Sequence, residues 1–470
     1  MFNKLKYVFM VLCSFTILSF ANEDLSSWSK RMEITFPGYT KSEALSDFPA
    51  LIVLSETDEG LGFHYTDFLS PPFDDLRFLA EDKSTPLEFE VESWNLEGKS
   101  YVWVRIPELT PLTIIYAIWG KEGVSLPSYA TDGSVWDDNY LAVWHMNDSP
   151  NGDLSDSSAN SYDGVKKSAD NPVEVEAVIG KGQLFNQNFI DVSVAGDQGG
   201  TYTFSFWING SSTGLDRYPF SIQTGELRFG WGSGYANNIG LQFGSGWKDF
   251  GLTPELNTWH HLALLCDDKT VSLFVNGQQY GSSFTYVNRL IGGEFLIGAR
   301  FGGGTRGFFH GTMDEFRVST TIRSPAWLWA SWQNQGYNED FVNYGIPFAH
   351  ALPYVDNATG ATELSASSVK LNGTLISLGL SDPDLTVFWG ASDGGTDPGS
   401  WDNFHTWNSL QAPGDFTKLA SDLPLDTVCF YRFMAENDYG QSWANESSVF
   451  ITSDVWLEHI QDGSFFDGTP

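Results

Sequence analysis

Cysteine is almost missing from this chain of 470 residues, which has three. Cys13 lies in the apolar amino-terminal stretch, so only Cys266 and Cys429 remain in the body of the chain, far apart in sequence. An oxidising compartment leaves them open to a disulfide without implying one, and a framework of disulfides is excluded. Basic residues are scarce too: 25 Lys and Arg stand against 59 Asp and Glu, a formal net charge of −34. That balance argues against binding by neutralising phosphate or anionic lipid, and so against nucleic acid as a partner. It leaves two readings of the excess, an acidic solvated surface or carboxylates that bind hard cations. Beyond the amino terminus the sequence has no apolar run long enough to span a bilayer. It also lacks the long Leu/Ala/Glu/Lys runs at helical spacing that would announce a helical protein. What is plentiful is glycine (47 residues) and aromatics (15%), including 18 Trp, a composition that reads as all-β. The length suggests roughly two to four domains.

Residues 1–21 read as an export signal. Lys4 and Lys6 make the charged start, an apolar run follows, and Ser19-Phe20-Ala21 places small residues at the −3 and −1 positions, so cleavage is expected before Asn22. The mature protein is therefore expected to be secreted or displayed at the cell surface.

The densest pattern lies between residues 201 and 318. Thr203-Phe204-Ser205-Phe206-Trp207-Ile208 alternates, with Phe204, Phe206 and Ile208 on one side and Trp207 on the other. Trp259-His260-His261-Leu262-Ala263 leads to Val271-Ser272-Leu273-Phe274-Val275 and the turn Asn276-Gly277, which predicts a hairpin. Phe295-Leu296-Ile297-Gly298 and Gly311-Thr312-Met313-Asp314-Glu315-Phe316-Arg317-Val318 close the segment. Upstream, Val143-Trp144-His145-Met146 precedes Asp156-Ser157-Ser158-Ala159-Asn160. Together these motifs resemble the LamG-like jelly roll of the concanavalin A lectin and glucanase class, over residues 135–345, with Pro325 to Gln333 as a trailing helix. The resemblance implies a two-sheet sandwich. It also implies one structural calcium ion, because Asp314 matches an aspartate that holds such an ion in related jelly rolls; Asp156 and Asp148 are the candidate partners from the early loop. A turn-capping role for Asp314, or a pairing with Arg317, is the alternative.

Residues 22–122 contain short alternating segments, among them Asp47-Phe48-Pro49, Asp75-Leu76-Arg77-Phe78, Glu90-Val91-Glu92-Ser93-Trp94 and Val102-Trp103-Val104. They resemble DUF2341, a bacterial family of unknown function, which implies a β-rich accessory domain and no activity. Here Glu88, Glu90 and Glu92 alternate, so their carboxylates project from one strand face. Retaining glucanases with a jelly-roll fold use such a geometry. In this chain the middle residue is Glu rather than Asp and the triplet lies outside the jelly-roll segment, so it reads as a solvated face. A linker is expected at 123–134.

His260 and His261 are adjacent on a strand and point to opposite faces, so they do not share a metal, and a structural role is expected. Trp231, Tyr235, Asn237 and Trp247 lie in a Gly-rich stretch, 230–251, that reads as loop. They are the candidate sugar-binding surface, since pyranose C–H groups pack on aromatic faces. The alternative is that they fill the sandwich edge. After a second linker, 346–352, residues 353–453 show Leu423-Pro424-Leu425-Asp426-Thr427 and Arg432-Phe433-Met434-Ala435-Glu436-Asn437, similar to the closing strands of fibronectin type III domains, with Cys429 in place of the corner tyrosine. Residues 454–470 read as a tail. The sequence thus predicts an all-β chain of tandem β-sandwich domains around a concanavalin A-like jelly roll. The expected role is a non-catalytic glycan-binding or adhesion protein of the bacterial surface with a polysaccharide or glycoconjugate partner; a hydrolase or lyase using Glu90 or Glu92, and a purely structural spacer, are the alternatives.

Overall fold

The computed structural model describes residues 25–453, except 58–61, 151, 168–171, 199, 213–215, 223–226, 232–237, 244–245, 268, 286–290, 302–304. The expected signal segment, the tail, and the candidate residues Tyr235 and Asn237 lie outside the described residues. Antiparallel sheets dominate, as the composition demands. No helix among the described residues is long and apolar enough to cross a membrane. Cys266 and Cys429 are both buried free thiols.

The central sandwich has an eight-stranded and a seven-stranded sheet. Its core is a run of rings and aliphatics from both inner faces, including Phe204, Phe206, Ile208, Phe220, Phe229, Phe295 and Phe316. The alternation read at 204–208 is therefore realised, and Trp207 faces outward, where its Nε1 donates to Gln335 at 2.7 Å. His260 and His261 also lie on opposite faces, since His260 pairs with Ile208 and His261 with Trp207.

The middle of the outer face of the eight-stranded sheet is not solvated. The register places Val143, Arg317, Ser205, Ala263 and Phe274 in one row across it. Ala263, Leu265 and Phe274 belong to the same hydrophobic cluster as Leu51, Trp103, Trp327 and Leu328. What covers the face is the amino-terminal part of the chain, a six-stranded sheet and a three-stranded sheet, together with the helix Pro325–Gly336. That helix starts where Ser324 accepts a bond from the Trp327 N–H and Pro325 occupies the first turn, a strong local start signal. Its Asn334 closes an open sheet edge: the side chain accepts from the Leu51 N–H at 2.6 Å and donates to the Leu51 carbonyl at 3.0 Å. An unpaired edge strand is thereby blocked.

The residues read as the end of the jelly roll and as a linker form strands of the amino-terminal sheet. Asn343–Tyr344 and Phe348–Ala349 both pair with Lys30–Thr35. The first two regions thus share one continuous core. The carboxy-terminal region is a separate sandwich, with sheets of three and five strands around Val369, Leu371, Val387, Tyr431 and Phe433. At the position expected for a corner tyrosine Cys429 is buried, and the Tyr431 hydroxyl instead lies 3.1 and 3.0 Å from the carbonyls of Asn357 and Asn372.

Candidate functional site

At the seam between the three-stranded sheet and the central sandwich lies a knot of buried ionisable groups: Glu90, Glu92, His145, Asp314, Glu315 and Arg317. Two β-bulges build it. In the His310–Ser319 strand, Trp207 pairs with Asp314 and Ser205 with Arg317, so two residues, Glu315 and Phe316, oppose the single Phe206. Glu315 takes up the extra length at φ 51°. As Met313, Phe316 and Val318 all enter the sandwich core, the bulge turns both Asp314 and Glu315 outward. In the Phe89–Ser93 strand, Val91 pairs with Val102 but Ser93 with Tyr101, leaving Glu92 as the extra residue. The bulges face one another across the seam.

The contacts are short. His145 Nδ1 lies 2.7 Å from Glu315 Oε1 and 3.5 Å from Glu92 Oε2, and its Nε2 lies 3.7 Å from Glu90 Oε2. Arg317 donates to Glu315 Oε2 at 3.1 and 2.5 Å and lies over the rings of Trp103 and Trp136. Trp103 donates to Glu92 Oε2 at 2.8 Å; Glu90 accepts from Trp136 Nε1 at 2.8 Å and from Ser157 Oγ at 2.6 Å. The His145 ring stacks on Trp103. The side chains of Glu92 and Glu315 are fully buried, that of Glu90 is 22% exposed.

Burial pushes the Glu92 carboxyl up to about 8, reinforced by Glu315 and opposed by His145 and Trp103. Burial and the same two glutamates, 315 and 92, raise Asp314 well above the carboxylate range. For His145 burial disfavours the cation, but Glu315 and Glu92 outweigh it and hold the imidazole well above its usual value. Glu315 is lowered despite burial by His145 and Arg317, and Glu90 despite burial by the nearby His145 and by its bonds from Ser157 and Trp136. His145 is thus favoured as a cation and Glu90 and Glu315 as carboxylates, whereas Glu92 and Asp314 are shifted toward the neutral acid. Such balance is what allows charge this deep in a low-dielectric interior.

The reading of Glu88, Glu90 and Glu92 as a solvated face is corrected: Glu90 and Glu92 are enclosed by the central sandwich. The burying partners, Ser157, His145 and Glu315, come from a region read as a different domain. Glu90 alone among the knot residues also lines an open cleft of about 380 Å³, together with Tyr129, Asp132, Asp156, Ser157 and Ser161.

The three aspartates expected to share a calcium ion do not converge. Asp314 Oδ2 accepts from the Ile179 N–H at 2.9 Å, inside the knot. Asp156 spends both oxygens locally, on the N–H groups of Val143, Ser158 and Tyr162 and on the Ser158 hydroxyl. Asp148 accepts from the N–H and hydroxyl of Ser155. Asp156 is a turn-former, a role that short acidic side chains take readily, and the trio does not fit calcium. Among the described residues, the one group of three or more His, Cys, Asp or Glu whose ligand atoms lie within 4.8 Å of one another is Glu92, His145 and Glu315.

Of the expected sugar surface, the described residues are Trp231 and Trp247. The described residues of 230–251 fall largely in strands, Leu227–Trp231, Ile239–Phe243 and Gly246–Leu252, and not in a loop. Trp231 is 1% exposed, stacked on Phe309 in the sandwich core. Trp247 is half-buried and lies across Gly240, where a Cβ would come within 2.4 Å of its ring. Two of the glycines that suggested a loop, Gly230 and Gly240, are there for close approaches, to the Arg217 carbonyl and to the Trp247 ring.

The sheet pair around Phe204, Phe220 and Phe316 is an antiparallel jelly roll. Residues 185–328 match the family model of the concanavalin A-like lectin/glucanases superfamily. The protein is thus an all-β chain carrying a concanavalin A-like domain. No curated protein matches the chain. Among solved structures it is similar to domain 4 of AbnA, a GH43 extracellular arabinanase from Geobacillus stearothermophilus, in complex with arabinotriose. The identity is 21%, over 41% of this chain and 97% of that one, with a TM-score of 0.35. It is also similar to the binding domain of Paraclostridial Mosquitocidal Protein 1 (10% identity, 68% of this chain and 93% of that one, TM-score 0.34). A third is the Trypanosoma rangeli sialidase (13% identity, 53% of this chain and 42% of that one, TM-score 0.32).

Proposed function

We propose that this is a secreted or cell-surface glycan-binding protein without catalytic activity, in which the jelly roll and the DUF2341-like region form one binding unit and the carboxy-terminal sandwich, fibronectin type III-like, is an accessory. The observation that carries the reading is the cleft at the seam. Its volume, about 380 Å³, suits one or two sugar rings. Its wall is rich in what hydroxyls need: the carboxylates of Glu90 and Asp132 as acceptors, the hydroxyls of Ser157, Ser158 and Ser161, and the ring of Tyr129 for a pyranose face. The concanavalin A-like match over 185–328 supports the same reading. Catalysis is disfavoured by the engagement of both Glu90 oxygens with Ser157 and Trp136 and by the enclosure of Glu92.

The test is retention of residues 22–470 on a panel of polysaccharides, for the wild type, for Thr131→Trp, which fills the cleft from its exposed rim, and for Trp247→Ala. Retention lost in Thr131→Trp and kept in Trp247→Ala is the expected result. Retention lost only in Trp247→Ala moves the site to the jelly-roll meander. A folded wild type retained on nothing refutes the glycan reading in favour of a structural spacer, and release of sugar products would refute the absence of catalysis.

A further inference from the structure

The knot at the seam holds more unmet polar groups than a closed hydrogen-bond network should. Glu92 Oε1 and Asp314 Oδ1 are both buried and without a hydrogen-bond partner. Buried polar atoms are ordinarily satisfied, so two orphaned carboxyl oxygens beside one imidazole point to an absent occupant. The donor spacing says what kind. His145 Nδ1 stands 2.7 Å from Glu315 Oε1 and 3.5 Å from Glu92 Oε2. Ligands of a tetrahedral ion with bonds of about 2.0–2.1 Å sit about 3.3 Å apart, within that interval.

We propose that Glu92, His145 and Glu315 hold one divalent transition-metal ion of the zinc class, with Asp314 as a further oxygen nearby, and that this ion staples the amino-terminal sheets onto the jelly roll. One imidazole with carboxylates suits zinc, cobalt or manganese. Calcium takes six to eight oxygens at longer range and finds neither here. Outer contacts suited to a metal site are in place: Trp103 Nε1 donates to Glu92 Oε2, Arg317 donates to Glu315 Oε2, and Glu90 faces the far nitrogen of His145. Glu92 comes from one side of the seam and His145 and Glu315 from the other, so the site exists only when the two parts are docked. The inference does not rest on the glycan reading, and no sugar enters its test.

The experiment is metal content. Residues 22–470, stripped with chelator, are loaded separately with Co²⁺, Zn²⁺ and Ca²⁺, passed through gel filtration and assayed for bound metal, with the visible spectrum of the Co²⁺ form and the melting temperature recorded. About one Co²⁺ or Zn²⁺ per chain, a cobalt spectrum and a higher melting temperature than the stripped protein are expected. Folded His145→Gln is expected to fall below about a tenth of that content. A folded wild type that retains no transition metal, one that retains only Ca²⁺, or a folded His145→Gln that binds as wild type overturns the proposal. Should His145→Gln fail to fold, X-ray absorption at the cobalt edge of the wild type decides: imidazole in the coordination sphere supports the site and oxygen alone overturns it.

Discussion

His261 sits with its ring edge-on to Trp207, 2% exposed, and behind Arg317. Burial, with the Arg317 charge adding to it, lowers its pKa from 6.5 to about 3. The native state therefore keeps this imidazole neutral, while the unfolded chain protonates it normally. Above pH 6.5 both states are neutral and the histidine has no effect on the pH dependence. As pH falls below 6.5 the unfolded state takes up a proton that the native state refuses, so stability is lost through the window from 6.5 down to about 3. At pH 5 the loss amounts to about 2 kcal/mol, at about 1.4 kcal/mol per pH unit. The perturbation is His261→Phe, which keeps a ring against Trp207 and cannot titrate. Urea denaturation followed by tryptophan fluorescence at pH 7.5 and pH 5 gives four stabilities. Contributions from the seam carboxylates are common to both proteins and cancel in the difference. The wild type should lose about 2 kcal/mol more than His261→Phe on acidification. Equal losses would show that His261 is charged or solvated in the native state, and would refute the reasoning.

Trp231→Ala should cost about 3–5 kcal/mol in thermal or urea unfolding, because a core ring is removed. Its polysaccharide retention should fall only with the folded fraction, and a stable variant that no longer binds would return Trp231 to the ligand surface. Asp156→Ala strips acceptors from three backbone N–H groups and should cost about 2–4 kcal/mol, by the same amount with calcium or chelator; a calcium-dependent difference would revive the ion at that loop. Asn334→Ala unpairs both the N–H and one bond of the carbonyl of Leu51 and should cost about 2–3 kcal/mol, read from the melting temperature. A fragment of residues 135–345 exposes Ala263, Leu265 and Phe274 and should elute as aggregate on gel filtration, whereas residues 25–352 should run as a monomer; a monodisperse fragment 135–345 would show that the shared core is dispensable.

The strands of the jelly roll were legible because period-two alternation is a local property. Phe204, Phe206 and Ile208 differ from Trp207 in what they bury against, and the sequence carries that difference residue by residue. The Gly-rich stretch 230–251 failed for the opposite reason: glycine signals either a turn or a close approach, and only the partner tells which. At Gly230, with φ 156°, a Cβ would stand 2.2 Å from the Arg217 carbonyl, and at Gly240 the partner is the Trp247 ring. The glutamates of the Phe89–Ser93 strand were read on the correct common face, but the partner covering that face was not visible. Asp314 was singled out by its motif; its neighbour Glu315, which alternation assigns to the core, was not. A bulge breaks the parity rule, and nothing local in Met313-Asp314-Glu315-Phe316 marks it apart from two acids in succession beside core positions. That doubling is the signal that could have found it.

Charge placed between two sheets has a use that hydrophobic packing lacks. Leu51, Ala263, Leu265, Trp327 and Leu328 would hold the amino-terminal sheets against the jelly roll in many relative positions, since apolar contact is non-directional. The seam contacts are directional: Glu90 must meet Ser157 and Trp136, and Glu315 must meet His145 and Arg317, or a buried charge is left alone. A slip of one residue along the Phe89–Ser93 strand would carry Glu90 and Glu92 to the opposite face and leave His145 and Arg317 uncompensated, at a cost of several kcal/mol for each unpaired ion. Registry is thus enforced by the penalty for misdocking. The same enforced registry fixes the cleft, because its walls are Glu90 and Tyr129 on one side and Ser157 and Ser161 on the other. The proposed binding geometry and the docking geometry are then one constraint in this fold, with Glu90 part of both.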